Sequence, residues 1–368
     1  MSIPDLKHMK RALSLARKGM GKTSPNPAVG CVIVKDGVVI GEGWHKKAGG
    51  PHAEIFALEM AGTAARNADV YVTLEPCCHS GKTPPCSEAL IAAGVKRVFA
   101  AMADPNSKVN GNGFRALEKA GIITECGLME DEARALNLAF IKHVTTGLPY
   151  VIYKCAMTLD GKIATFTGES RWISGAESRR FVHRLRSRCD GVMVGVDTII
   201  ADDPQLTVRH VRGKNPWRII VDSTLRTPES VNVLSESLAQ KTIIATTEQN
   251  PRVHLRYLQR GVSILVCRER NGKVDMEDML KQLGERNIQS ILLEGGSRVA
   301  GEALKQGLID ECIFFYAPKV IGSDGFSPLA ITGISSMDKA LIFTDVSVQK
   351  AGPDIIITAR PEQPCLQA

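Results

Sequence analysis

Two short segments of this chain carry residues able to hold a metal and to work beside it. The first is Pro51-His52-Ala53-Glu54. The second is Thr73-Leu74-Glu75-Pro76-Cys77, which leads through His79 to Cys86. One imidazole and two thiolates make a three-ligand set. It leaves a fourth tetrahedral position for water, which is the layout of a catalytic zinc site rather than a closed structural one. Zinc lowers the pKa of such a water toward ~7, so hydroxide becomes available at neutral pH. Glu54 can stand beside that water without ligating the metal, take its proton and hand it to a leaving amine. His-x-Glu followed by Pro-Cys is the pattern of zinc nucleobase deaminases.

The usual second half of that pattern is Pro-Cys-x-x-Cys. Here Ser80 stands at the second cysteine's place, and Cys86 follows only after a loop holding Gly81 and Pro84-Pro85. Cys78 and His79 are competing ligands. Cys78 adjoins Cys77, and neighbouring residues seldom both reach one small ion.

Helix starts and strand ends must position these groups, and the flanking residues supply both. Leu6, Met9, Leu13, Leu15 and Ala16 fall at helical spacing over residues 2–18. Strands are expected over 29–34 and 38–43, joined by the hairpin signal Asp36-Gly37. A helix over 53–65 opens directly after His52, and a strand over 69–73 ends just before Cys77. Helices over 87–93 and 113–120 stop at Gly94 and Gly121, with a strand over 95–101 between them and a helix over 130–144 after them. The alternation predicts a three-layer α/β domain whose later strands are parallel.

Thr145 to Pro149 is the expected linker, dividing the chain into domains 1–147 and 148–368. The second domain repeats the α/β alternation, with strands over 150–157, 191–196, 217–222, 242–246, 290–294 and 311–318. Its helices are expected over 179–188, 276–283 and 298–306, and residues 361–368 read as a frayed end. Its clearest chemical feature is strand 290–294 running into Gly295-Gly296-Ser297 and a helix start, where free backbone N–H groups can meet a phosphate. The turn is not a Rossmann fingerprint, because G-x-G-x-x-G is absent.

Bulk properties narrow the classes. At 368 residues the chain is longer than one core usually supports. No apolar run is long enough to span a bilayer, and the N-terminus reads as an amphipathic helix rather than a signal peptide, so a cytosolic location without membrane partners is expected. The 10 cysteines are too dispersed for a disulfide framework. A net charge of +7 suits an anionic partner, either a phosphorylated metabolite or nucleic acid.

His52-Ala-Glu54, Thr73-Leu-Glu-Pro-Cys77 and Gly81-Lys-Thr-Pro-Pro-Cys86, with Asn26-Pro-Ala-Val-Gly30 and Pro51, closely resemble the riboflavin-biosynthesis deaminase-reductase family. Over the second half, Lys154 to Lys162, Ser170 to Ser174, the segment from Gly191 to Arg209, and Ile291 to Ser297 resemble the same family. The likeness spans residues 6–357. It implies a cytidine-deaminase-like first domain with zinc ligands His52, Cys77 and Cys86, Glu54 as proton shuttle, and Asn26 in the substrate pocket. It also implies a dihydrofolate-reductase-like second domain using NADPH. Ala156, Trp172, Thr198, Asp202, Ser223 and Gly296 would serve the cofactor. Ser170, Arg186, Leu206, Arg209 and Glu294 would serve a phosphorylated pyrimidine ribotide, with Arg186 and Arg209 facing its phosphate. A homo-oligomer, dimer or tetramer, and no nucleic-acid partner are expected. Three readings compete: a nucleic-acid base deaminase with an accessory domain, a non-enzymatic zinc-stabilised binding module, and a deaminase with a decayed reductase half. The enlarged Cys77-to-Cys86 loop and the second domain disfavour the first, and Glu54 disfavours the second.

Overall fold

In the computed structural model, which describes residues 3–78, 84–106 and 109–362, Asp36 and Gly37 both take positive φ, 50° and 77°. A two-residue hairpin turn requires that of its central residues. It folds β1 (Gly30–Lys35) onto β2 (Val38–Trp44), with Lys35 opposite Val38. His79 and Gly81 lie outside the described residues, as does 363–368, most of the expected frayed end. The chain divides into two compact units, Met1–Gly147 and Leu148–Ala368.

The first unit is built on one sheet of order β2-β1-β3-β4-β5. β3 (Asp69–Val72) runs antiparallel to β1, whereas β4 (Arg97–Ala100) and β5 (Ile123–Cys126) run parallel to β3. Its helices are α1 (Ile3–Ala16), α2 (Ala53–Ala61), α3 (Cys86–Ala93), α4 (Asn112–Lys119), α5 (Glu130–Leu136) and α6 (Leu138–Thr146). The core joins Met9, Leu13 and Leu15 of α1 to the wholly apolar run Cys31–Val34 and to Leu90 of α3. Gly94 closes α3 in the left-handed conformation, φ 66°, as its sequence position predicts.

The single helix expected over 130–144 is two. Asn137 interrupts it because its side chain pairs with the backbone of Ala28. Oδ1 accepts from Ala28 N (2.8 Å), and Nδ2 donates to Ala28 O (3.1 Å) and to Ala133 O (3.4 Å). An amide that offers the chain an alternative partner is a usual cause of helix breaks.

The second unit holds a nine-stranded sheet of order β10-β9-β8-β7-β13-β6-β14-β16-β15. The strands are β6 (Tyr150–Thr158), β7 (Gly191–Gly195), β8 (Trp217–Val221), β9 (Thr242–Thr246) and β10 (Ser263–Val266). A small hairpin, β11 (Glu269–Arg270) and β12 (Lys273–Val274), stands apart, and β13 (Ser290–Glu294), β14 (Glu311–Ala317), β15 (Phe343–Ala351) and β16 (Asp354–Pro361) complete the set. All pairings from β10 through β14 are parallel, and the β14–β16–β15 edge is antiparallel. The helices are α7 (Ala176–Arg188), α8 (Val196–Asp202), α9 (Glu236–Ala239), α10 (Pro251–Leu258), α11 (Met276–Glu285) and α12 (Ser297–Lys305). Separate cores form on its two faces: Leu293, Ile291 and Met279 on one side, Val192, Ile220 and Leu292 on the other. Alternate residues of β13 thus serve opposite faces, as strand geometry dictates. Both units are α/β, the class the sequence predicts. No helix among the described residues is long and apolar enough to cross a membrane.

Candidate active sites

In the first unit the metal-binding side chains come from two helix starts. His52 is the N-cap of α2 and Glu54 lies in its first turn. Cys86 is the first residue of α3, while Cys77 stands in the loop that leads to it. Close helix–sheet contact fixes α2: a Cβ on Gly43 would lie 2.2 Å from Ala53 O, and one on Gly41 would lie 2.2 Å from Ala57 O. Only glycine allows the helix so near. The position of His52 and Glu54 therefore follows from two glycines in β2.

His52 Nδ1 lies 3.2 Å from Cys86 Sγ and 3.5 Å from Cys77 Sγ. Ordinary Zn–S and Zn–N lengths at a tetrahedral angle put an N and an S ligand about 3.6 Å apart. The three ligand atoms all lie within 4.8 Å of one another, so the donor set fits a zinc ion by distance as well as by type. Cys77 Sγ also accepts the backbone N–H of Cys86 (3.3 Å). Hydrogen bonds from the Cys86 thiol, His52 and that N–H push the Cys77 thiol down to about 4, the thiolate form that ligation needs. Cys78 is not part of the cluster.

Glu54 is 3% exposed, and its Oε2 has no hydrogen-bond partner. Burial, with the nearby Cys77 thiolate, raises its carboxyl to about 7. A buried carboxylate oxygen without a partner is costly unless a ligand or water completes it. It borders a cavity of about 480 Å³ lined by Asn26, His45, His52, Glu54, Cys77, Asn106 and Phe140, among others. Asn26 thus shares a cavity with the cluster. Its Nδ2 meets His45 Nε2 (3.2 Å), and His45 Nδ1 meets Pro51 O (3.0 Å).

His45 and Glu75 were missed by sequence reasoning. His45 lies in no motif that would single it out. Glu75 was legible as part of Leu-Glu-Pro-Cys but had no assigned task. It is 3% exposed and accepts three backbone N–H bonds, from Asp104 (3.1 Å), Gly111 (3.0 Å) and Gly113 (2.9 Å). Such charge-assisted bonds tie the Asp104–Gly113 stretch to the chain immediately before Cys77.

In the second unit most of the expected residues gather beyond the C-terminal ends of parallel strands, where open α/β sheets bind ligands. Ala156 lies near the end of β6, with Ser170 and Trp172 in the loop that follows. Thr198, Asp202, Leu206 and Arg209 follow β7, Ser223 follows β8, and Glu294 ends β13. Gly295 and Gly296 take φ 71° and 75°. A Cβ on Gly295 would lie 3.2 Å from Thr198 Oγ1, and one on Gly296 would lie 3.5 Å from Gly195 N. The turn, the Thr198 hydroxyl and the start of α12 thus converge at one place. Gly195, Asp197, Asp222, Ser223, Arg226, Lys273 and Arg298 help to line a neighbouring cavity of about 410 Å³. Trp172 is 65% exposed, so it is not a core aromatic; Arg179 stacks over its ring at 4.7 Å. Arg171 donates to Asp202 O (2.5 Å).

The two arginines expected to share a phosphate have different surroundings. Arg186 reaches back from α7 to Glu294 with Nε–Oε1 at 2.6 Å and Nη2–Oε2 at 2.9 Å, and its Nη1 donates to Thr207 O (3.0 Å). The pair's side chains are 11% and 10% exposed, so the fork of Arg186 is engaged within the protein. Burial works to raise the Glu294 carboxyl, but the charge and hydrogen bonds of Arg186, with Lys154 and His183, carry it below its ordinary value. Arg209 is exposed, and its Nη1 donates to Thr207 Oγ1 (3.0 Å). Thr207 therefore joins the two arginines. Leu206 packs its side chain into the core at φ 53° and offers only backbone to a ligand.

Two family models match separate parts of the chain. Residues 3–102 match the cytidine and deoxycytidylate deaminase zinc-binding region, and residues 149–357 match the RibD C-terminal domain. The riboflavin biosynthesis protein RibD of Actinobacillus pleuropneumoniae is 43% identical over 97% of this chain and 95% of its own length. That of Escherichia coli K12 is 42% identical over 95% and 97%. Acinetobacter baumannii RibD superposes with a TM-score of 0.90 at 39% identity, covering 98% of this chain and 99% of that one. The diaminohydroxyphosphoribosylaminopyrimidine deaminase/5-amino-6-(5-phosphoribosylamino)uracil reductase of Thermotoga maritima superposes with a TM-score of 0.85 at 37% identity, covering 98% and 99%. With a deaminase-type His-Cys-Cys cluster in one unit and the reductase domain in the other, the chain belongs to the RibD family of bifunctional riboflavin-biosynthesis deaminase-reductases.

Proposed function

We propose that the first unit hydrolyses the 2-amino group of 2,5-diamino-6-ribosylamino-4(3H)-pyrimidinone 5′-phosphate, and that the second reduces the ribosyl group of the product, 5-amino-6-(5-phosphoribosylamino)uracil, to ribityl with NADPH. The observation that carries the first step is Glu54: buried, unpartnered at Oε2 and beside the His52–Cys77–Cys86 cluster. A structural metal site has no use for such a group. His52, Cys77 and Cys86 would hold a zinc ion, which would supply activation of a water at neutral pH. Glu54 takes one proton from the attacking water and gives it to the amino group, which leaves as ammonia; the water's oxygen becomes the ring carbonyl oxygen and its second proton ends on the adjacent ring nitrogen. Asn26, oriented by its contact with His45, holds the pyrimidine edge.

NADPH supplies the hydride of the second step. Gly295, Gly296, Thr198 Oγ1 and the first N–H groups of α12 form a cradle suited to its pyrophosphate. Trp172, Asp202, Ser223 and Ala156 complete the cofactor side. Arg209 meets the ribotide phosphate. Ser170 and the backbone of Leu206 line the same side, and Glu294 and Arg186, locked together, hold that end of the site in shape. A homo-oligomer is supported by β15, an edge strand with Val346 60% and Val348 67% exposed, and light scattering would give its size. We place the enzyme in the cytosol, where a phosphorylated substrate and NADPH are at hand.

The test is to give the full-length zinc-loaded protein the diaminopyrimidinone ribotide and to follow ammonia and NADPH together. Ammonia should appear first and NADPH fall afterwards. Glu54→Gln should keep its zinc and release ammonia ~10²–10⁴-fold more slowly. Zinc-loaded protein that releases no ammonia from this ribotide refutes the proposal.

A further inference from the structure

The 410 Å³ cavity of the second unit carries more positive charge than a pyrophosphate cradle needs. Arg226, Arg270, Lys273 and Arg298 all line it. Two of them are already occupied: Arg226 Nη2 lies 2.7 Å and Arg298 Nη1 lies 3.6 Å from the Asp197 carboxylate. Arg270 and Lys273 have no side-chain hydrogen bond or ion pair among the described residues. They flank the tight turn of the β11–β12 hairpin, where Asn271 and Gly272 take φ 54° and 73°. Both side chains are exposed.

The hairpin is not a loose loop tip. Val274 N donates to Ser223 Oγ (3.0 Å), and Asp275 N and Arg268 O close its base (2.8 Å). Ser223 follows β8, so the bond to Val274 pins the hairpin at the end of that strand. The glycine turn lies at the ends of β13 and β7, and β13, β7 and β8 are successive neighbours in the sheet. The strand ends that carry the glycine turn and the Ser223 anchor of the hairpin are therefore about 10 Å apart, two strand spacings. The cavity runs between them, past Gly195 at one side and Ser223 and Thr224 at the other. A dinucleotide whose pyrophosphate sits at the glycine turn has room in this cavity to extend its adenosine ribose toward Ser223 and the hairpin. A second phosphate on a ribose so placed would face Arg270 and Lys273.

We propose that Arg270 and Lys273, held by the Ser223–Val274 bond, form the clamp that recognises the 2′-phosphate of the adenosine ribose and so makes the reductase select NADPH over NADH. The inference rests on the NADPH reading given above. An arginine fork and a lysine point charge on one hairpin suit a dianionic monoester. A 2′-hydroxyl offers them no charge, so the cost of desolvating two cations would go uncompensated with NADH.

The test is equilibrium binding to the full-length protein, by calorimetry, of NADP⁺, NAD⁺, adenosine 2′,5′-bisphosphate and 5′-ADP. The wild type and the doubly substituted Arg270→Gln/Lys273→Gln protein are compared, and calorimetric unfolding checks that the exposed substitutions leave the fold intact. The variant should lose roughly ten- to a hundredfold in affinity for NADP⁺ and for the 2′,5′-bisphosphate, the scale of losing a hydrogen bond to a charged group. Its affinity for NAD⁺ and 5′-ADP should hold. Raising salt should weaken NADP⁺ binding in the wild type more than in the variant. A variant that keeps the wild-type ratio of NADP⁺ to NAD⁺ affinity overturns the clamp and leaves the NADPH reading standing. A wild type that binds neither dinucleotide overturns both.

Discussion

Replacing Arg186 with methionine tests whether this guanidinium is part of the protein's own framework. Its fork makes two short bonds to Glu294, 2.6 and 2.9 Å, in a place where both side chains are about one-tenth exposed. Arg186→Met strands the Glu294 carboxylate in that setting. Breaking one side of a buried pair costs about 3–5 kcal/mol, since the remaining charge is left uncompensated. For a unit of this size each kcal/mol moves the midpoint by roughly 2–4 °C, so the second unit should melt about 6–20 °C lower. The double variant Arg186→Met/Glu294→Leu removes both charges and should recover much of the loss, giving a large coupling in a double-mutant cycle. Glu294 has a lowered folded value, so its contribution is present above the ordinary 4.5 and is lost as pH falls through the folded value. The wild type's advantage should therefore shrink below about pH 4.5. Scanning calorimetry of the four proteins measures this directly. Single losses under about 1 kcal/mol that simply add in the double variant would refute the reasoning. Arg209→Gln is the contrast: exposed, it should leave the midpoint in place and raise KM for the ribotide.

Two further outcomes follow from the geometry. Gly43→Ala puts a methyl 2.2 Å from Ala53 O and 2.8 Å from Ala57 N; α2 must shift, so the first unit should lose about 1–3 kcal/mol and surrender zinc to a chelator sooner, and unchanged zinc retention would count against the helix–sheet contact as what fixes His52. His183, 5% exposed, is pushed down to about 4 by burial and then by the charges of Arg186, His210 and Arg209; the unfolded chain then binds a proton between the ordinary 6.5 and 4 that the folded one does not, so stability of the second unit is complete above 6.5 and falls toward 4, a slope in the urea midpoint that His183→Gln should flatten.

What was legible in the sequence had a local cause. Asp36-Gly37, Gly94 and the run Thr242–Thr246, β-branched at all but Ala245, each dictate their own conformation, and each stands where its residues predict. The pairing of His52 with Cys77 was legible because helix start and strand end bracket the motif. The choice of Cys86 over Cys78 was legible because neighbouring residues seldom both reach one ion, and the resemblance supported it; in the structure the start of α3 brings Cys86 to the imidazole. Elements fixed by tertiary contact escaped notice. β15 was not among the expected strands; nearly all of it is exposed, so it carries no buried apolar run to mark it. α8 was not among the expected helices, because Asp197 and Asp202 bracket only a short apolar run. The Arg186–Glu294 pair was not legible as a pair, because the two residues lie 108 positions apart in the chain.

Asn137 bears on where this protein can be divided. The deaminase family signature ends at residue 102, yet the backbone of Ala28, next to the Asn26-Pro27 turn, finds its partners in an amide 109 positions later, and Phe140 lines the same cavity. The family signature and the compact unit are therefore different lengths. A gene fission or domain swap that respected only the signature would leave Ala28 with an unpaired donor and acceptor and the cavity short of a wall. A junction that keeps these partners together lies no earlier than the end of α6.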